Sequence, residues 1–147
     1  MQIHSQKHPK LTAYSTATNR LRIAKIQEVK RESPTVKTFT FHDKLCAKAK
    51  PGQFLMVWIP GVDEIPLSLS TISSKGLTSI TVANVGEATK ALHQRKLGDI
   101  LGVRGPYGNG FMPASGNVMI VGGGTGLVSL MPLTEKIVEI AKKITFL

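Results

Sequence analysis

A single cysteine, Cys46, stands in 147 residues. That excludes an intramolecular disulfide and any zinc or iron–sulfur centre built from several thiolates of this chain. Its expected role is that of a small buried residue. Aromatic residues are scarce at 5%, and no motif interleaves them with cations as RNA-binding sheets do. No apolar run approaches the roughly 20 residues that cross a bilayer as a helix. Acidic residues are absent before Glu28, and residues 1–19 also lack the apolar stretch of a secretory signal, so they read as a flexible tail of a cytoplasmic protein. His4 and His8 in this tail have helical spacing. No apolar periodicity accompanies them, and metal binding is not expected there.

What the chain does have is positive charge, with 19 Lys and Arg against 9 Asp and Glu. The excess is uneven: residues 1–50 hold eleven basic and three acidic residues, the remainder eight and six. Such a balance can attract nucleic acid, anionic membrane or an acidic protein. The cations are spread along strand-like segments, so a solvated lysine-rich surface is expected, without a membrane or nucleic-acid partner. The length suits one domain with a proper core. A composition of 41% apolar and 19% charged residues is that of a globular protein.

Short strand patterns begin at Arg20. "RLRIAKIQEVK" alternates Leu21 and Ile23 and then shifts to Ile26, which predicts a bulge. "TVKTFTFH" puts Lys37, Phe39 and Phe41 on one face. "PGQFLMVWIPG" reads as turn, strand Phe54 to Ile59, and turn. "IPLSLSTIS" and "LTSITVANV" flank "SKG", and "ILGVRG" makes a sixth strand. Between the last two, "EATKALHQRKLGD" predicts a helix with Ala88, Ala91 and Leu92 on one face and Gly98 as its stop. Six short strands and one small helix predict an antiparallel barrel.

The period then changes. "NVMIV" is continuously apolar, as strands buried on both faces are, and "GGGTG" follows it. Beyond the loop Leu127, Leu130, Ile137, Val138 and Ala141 recur at helical spacing, with Pro132 marking a start or a kink. "ITFL" opens another strand, so the segment reads as the beginning of a β-α-β unit. Its loop lets backbone approach a phosphate at a helix start. It departs from G-x-G-x-x-G because position 127 is Leu. "VGEATKAL" offers a second anion site, where Gly86 opens the turn and Thr89 and Lys90 lie at a helix start. Each feature also occurs in proteins with no such ligand.

The order of these pieces is more specific. "PGQF", "PLSLS", "VGEAT", "GDILGVRGPYGNGF" and "VMIVGGGTG" together resemble the ferredoxin–NADP reductase superfamily, most closely the electron-transfer subunits of type B dihydroorotate dehydrogenases. The resemblance spans about residues 20–131. It implies a mainly β fold: residues 20–113 as a six-stranded antiparallel Greek-key barrel that binds FAD, and 114–147 as the first β-α of an incomplete NAD-binding α/β domain. It places Pro66, Leu67 and Ser68 against the isoalloxazine and Asn84, Val85 and Gly86 beside the flavin and its linker. Ala88 and Thr89 fall at the pyrophosphate, and Gly122, Gly123, Gly124, Thr125 and Gly126 at the nicotinamide nucleotide. The implied activity is transfer of electrons between an FMN-containing dihydroorotate dehydrogenase catalytic subunit and NAD through FAD, in pyrimidine biosynthesis. The protein would orient the flavin, which performs the chemistry.

The sequence departs from this pattern in places. Ile65 stands where the family usually has a basic residue for the pyrophosphate, and Arg104 or Lys90 is the expected substitute. Val128 and Ser129 replace the residue pair that usually follows the loop. The rest of the nucleotide domain and the family's [2Fe–2S] cysteines are not in these 147 residues, so NAD(H) binding and a [2Fe–2S] centre are not expected of this chain. A further chain completing the NAD domain is a possible partner. An exposed apolar patch at Leu127, Leu130, Ile137, Ile144 and Phe146 is expected as well. The alternatives are a reductase subunit of the hydrogenase or sulfide-dehydrogenase type, and a basic barrel that binds a partner without redox activity.

Overall fold

The computed structural model describes residues 9–147; the expectation for His4 and His8 lies outside the described residues. Six strands, β1 (Arg22–Arg31), β2 (Val36–His42), β3 (Phe54–Ile59), β4 (Asp63–Ile72), β5 (Leu77–Ala83) and β6 (Ile100–Tyr107), close in the order β1-β2-β5-β4-β3-β6. Every pairing in this barrel is antiparallel. In this order β5 returns beside β2 and β6 beside β3; alternating apolar residues such as Phe39 and Phe41 or Leu55, Val57 and Ile59 give the strands an inner face, and closure sinks those faces without leaving an edge. Phe39 and Phe41 are fully buried, with Leu55, Val57, Ile80 and Leu101 from three other strands. Each such side chain contributes about 1.5–3 kcal/mol of transfer free energy. The register of β1 against β2 slips between Ile26 and Glu28, where the sequence predicts a bulge.

The segment before the barrel differs from the predicted flexible tail. Pro9–Asn19 form helix α1, which packs against β6. Its last carbonyls have a partner outside the helix: the Arg22 guanidinium donates from Nη1 to the oxygens of Ala17 and Thr18 at 3.3 and 3.4 Å. The same guanidinium donates to both Asp43 carboxylate oxygens, at 2.7 and 3.2 Å, and to the Gly105 carbonyl at 2.8 Å. A cation at the negative end of a helix is favourable. The pattern of α1 carries no apolar stripe, so its stability comes from this distant contact rather than from a signal in its own residues.

Helix α2 (Glu87–His93) is shorter than the pattern suggests. It ends at His93, and a turn carries the chain to Gly98, whose φ of +91° suits glycine. Ala88, Ala91 and Leu92 do face the core, with Leu92 fully buried.

After the barrel come β7 (Gly116–Ile120), a 3₁₀ segment over Gly124–Leu130, helix α3 (Met131–Ile137) and β8 (Ala141–Phe146). β8 lies parallel to β7, completing one β-α-β unit. Three expectations are corrected here. Gly124 to Leu130 wind as 3₁₀, and the α-helix starts only at Met131, with Pro132 in its first turn where a missing N–H costs nothing. Ala141 begins a strand. β7 is not buried on both faces: Met119 is exposed while Ile120 is buried. Of the expected exposed apolar patch, Ile137 is buried, Leu127, Leu130 and Ile144 are half-buried, and Phe146 is exposed.

Candidate functional site

Pairing with β3 decides which residues of β4 face outward. Leu55 opposes Leu67 and Val57 opposes Ile65; residues opposite each other share a face, and Leu55 and Val57 are fully buried. Ile65 and Leu67 therefore pack against the core. Pro66 and Ser68 alternate to the outer face and are exposed. Of the predicted triplet, then, Pro66 and Ser68 offer side chains outward and Leu67 does not. Phe54 lies opposite both Ser68 and Tyr107. The two rings stand 5.9 Å apart and tilted by 46°, an aromatic pair in line with the serine that the sequence pattern does not single out.

The second predicted group sits where β5 runs into α2. Asn84 donates its N–H to the Thr35 carbonyl at 2.8 Å, and Val85 is exposed. The Thr89 hydroxyl accepts from the N–H groups of Val85 and Gly86, at 3.0 and 2.9 Å, and donates to the Gly86 carbonyl at 2.9 Å. It is thus committed to the turn, and what the helix start presents outward is backbone amide. A cavity of about 210 Å³ beside it is lined by Gly61, Val62, Asp63, Glu87 and Ala88. Its two carboxylates disfavour a phosphate inside it. Lys90 is exposed and in no ion pair among the described residues. Arg104 is not a free substitute for a basic residue at position 65. Its guanidinium grips the Glu64 carboxylate from Nε, at 2.8 Å, and from Nη2. That hydrogen bonding holds the Glu64 carboxyl below its ordinary range.

The third group, the glycine loop, folds over the barrel wall. Gly124 and Thr125, with Val128 and Met131, form one side of a cleft of about 570 Å³. Val36 and Thr38 of β2 and Thr81 and Ala83 of β5 form the other, together with Glu32 and Ser33. The Thr38 hydroxyl is 2.9 Å from a Glu32 carboxylate oxygen and 2.8 Å from the Thr81 hydroxyl. Hydrogen bonds from Lys30 and then Thr38 keep the Glu32 carboxyl below its usual range. The wall residues of this cleft are the ones sequence reasoning misses; their signal is the alternation of Thr38 and Thr81 against Phe39 and Ile80. Pro66, Ser68, Asn84, Val85 and Gly86 are not in its lining. The three predicted groups thus share the outside of the barrel without meeting in one cavity.

FAD, implied by the resemblance, needs a flat face for its ring and backbone or cations for its phosphates. Ser68, Pro66 and the Phe54–Tyr107 pair suit the first. For the second the glycines are informative. A Cβ on Gly122 would come within 2.8 Å of Leu127, and Gly124 has a φ of +55°, so packing and conformation account for these two. Gly86, Gly123 and Gly126 have neither a positive φ nor any atom within 4 Å of a would-be Cβ. Glycine at these places leaves room for a ligand to approach the backbone closely. Of these, Gly86 belongs to the flavin group and suits it, next to the exposed Lys90 of α2, whereas Gly123 and Gly126 belong to the loop implied for the nicotinamide nucleotide.

No protein-family profile matches the chain. A protein of Methanocella arvoryzae named "Probable dihydroorotate dehydrogenase B (NAD(+)), electron transfer subunit" is 45% identical over 124 residues, 84% of this chain and 46% of that protein. One of the same name from Methanocaldococcus jannaschii is 46% identical over 114 residues, covering 78% and 42%. The chain therefore spans under half the length of these curated relatives. Among solved structures, an NADH-dependent reduced ferredoxin–NADP oxidoreductase superposes with a TM-score of 0.77 at 30% identity, over 85% of this chain and 47% of that one. The chain is thus similar in fold to a ferredoxin–NADP oxidoreductase and in sequence to electron transfer subunits of dihydroorotate dehydrogenase B, over under half the length of each.

Proposed function

We propose that the barrel holds FAD and passes electrons between a dihydroorotate dehydrogenase catalytic subunit carrying FMN and NAD, in pyrimidine biosynthesis. One observation carries the reading: on β4, Pro66 and Ser68 stand exposed beside an aromatic pair, while Ile65, Leu67 and Leu69 are turned to the core. Ser68 then hydrogen-bonds the edge of the isoalloxazine. Asn84, Val85 and Gly86 flank the linker, and the amides at Ala88 and Thr89, with Lys90, hold the pyrophosphate. Gly122 to Gly126 form the loop that would face a nicotinamide nucleotide once further strands complete the two-stranded sheet. Bound FAD supplies the hydride and single-electron chemistry; the chain's own groups bind and orient it. We assign residues 20–113 to the flavin barrel and 114–147 to the nucleotide-binding domain.

Titration of the purified chain with FAD, followed by the flavin absorbance shift and fluorescence quenching with FMN as control, tests the reading. Saturable binding that prefers FAD is expected. Binding of neither flavin, or equal binding of both, rejects it.

A further inference from the structure

On the outer face of an antiparallel barrel, alternate positions are ordinarily polar. Around β1, β6 and β3 they are not. Ile23 on β1 lies opposite Gly102 on β6, which lies opposite Trp58 on β3; two pairs further along, on the same face, Lys25 opposes Ile100. Ile23 is 60% exposed, Ile100 46% and Leu21 43%. A Cβ at Gly102 would stand 2.8 Å from both Leu21 and Trp58, so those two side chains close over the glycine and make the surface continuous. Beside them opens a cavity of about 330 Å³, lined by Asn19, Leu21, Trp58, Glu64 and Arg104. Contiguous apolar surface of this kind on an outer wall marks an interaction site.

The surrounding charge says what kind of partner fits. Arg20, Lys25 and Lys96 are exposed and in no ion pair among the described residues. Of the nearby carboxylates Glu64 is paired with Arg104, while Asp99 accepts from the Lys96 backbone N–H and keeps its charge, so the rim sets three free cations against one carboxylate. An apolar centre with a positive rim matches a protein surface whose apolar centre is ringed by Asp and Glu. A second copy of this chain would set like charges against each other.

We infer that the outer face of β1, β6 and β3, centred on Ile23, Ile100 and Trp58, docks the dihydroorotate dehydrogenase catalytic subunit through an apolar patch ringed by carboxylates. The inference rests on the functional reading above. It also uses the position of the patch: Glu64 and Ser68 lie on the same face of β4, four residues or about 13 Å apart, so a partner seated there lies near the side proposed for the flavin.

The test mixes the full chain with the purified catalytic subunit from the same organism and measures affinity by calorimetry, for wild type, Ile23→Glu, Ile100→Glu and, as a control outside the patch, Val138→Glu. All three positions are exposed, and thermal unfolding with FAD titration verifies that each variant is folded. Wild type and Val138→Glu are expected to bind alike, Ile23→Glu and Ile100→Glu at least about tenfold more weakly, and all more weakly as ionic strength rises from about 0.05 to about 0.5 M. Equal affinity of the patch variants overturns the inference. So does failure of the catalytic subunit to bind a chain that binds FAD, an outcome that leaves the flavin reading standing. Self-association of the chain that Ile23→Glu abolishes also overturns it, in favour of a second copy. Patch-dependent binding by a chain that rejects FAD supports the surface and removes the flavin.

Discussion

The barrel and the β-α-β unit are built from the same kinds of residues to opposite effect. In the barrel each strand has two neighbours, and the core draws fully buried side chains from all six strands. In the unit after it, β7 and β8 pair only with each other, and Ile120, Pro132 and Ile137 are its buried apolar residues among the described ones. Met119, Val121, Val138 and Leu147 stay exposed. Parallel strands are normally covered on both faces, and small sheets with open edges are marginal alone. Closure, more than hydrophobicity, separates the two regions.

Core truncations sharpen that contrast most. Phe39→Ala is expected to cost the barrel about 3–5 kcal/mol in urea unfolding followed by Trp58 fluorescence. Ile137→Ala should leave the same transition nearly unmoved. Equal losses would mean that the two regions unfold as one. Next in size, Asp43→Ala removes the partner of Arg22 and the acceptor of the Leu45 and Cys46 N–H groups. A loss of about 3 kcal/mol is expected, together with loss of helical circular dichroism from α1; an unchanged helix signal would break the tether proposed for it.

The difference also extends to ligands. A dinucleotide crevice forms where the strand order of an open sheet reverses, which two strands cannot supply. The 147-residue chain is therefore expected to show no saturable NADH binding by fluorescence, even when it binds FAD; saturable binding would contradict the contrast. The smallest effect concerns Cys46, whose thiol is pushed up by burial and then by the Asp43 charge. The unfolded thiol titrates near about 8.5, so the folded state holds its proton longer. Its contribution is complete below about pH 8.5 and declines as pH rises above it. At pH 8 iodoacetamide should label Cys46 only after denaturant is added.

The strands were legible because their alternation is local: Phe39 and Phe41, or Leu55, Val57 and Ile59, show a face without reference to the rest of the chain. α1 was not, because its C-terminal carbonyls are held by Arg22, which is itself fixed by Asp43 and Gly105 far along the sequence. The inward turn of Leu67 required the register with Leu55. Arg104 was readable as a cation but not as Glu64's partner, which sits forty residues away. The glycine loop was legible as a loop. Its cleft was not, since Thr38 and Thr81 form a wall only once β2 and β5 are paired and the loop has folded across them.

Hydrogen exchange measured with and without FAD tests the central claim most directly, because it reads both regions in one experiment. The account predicts that saturating FAD slows exchange of the amides at residues 66–70 and 84–90, while 141–147 exchange quickly in either state. Protection confined to β8, or none along β4 and the start of α2, would contradict a flavin held on the outer wall of the barrel.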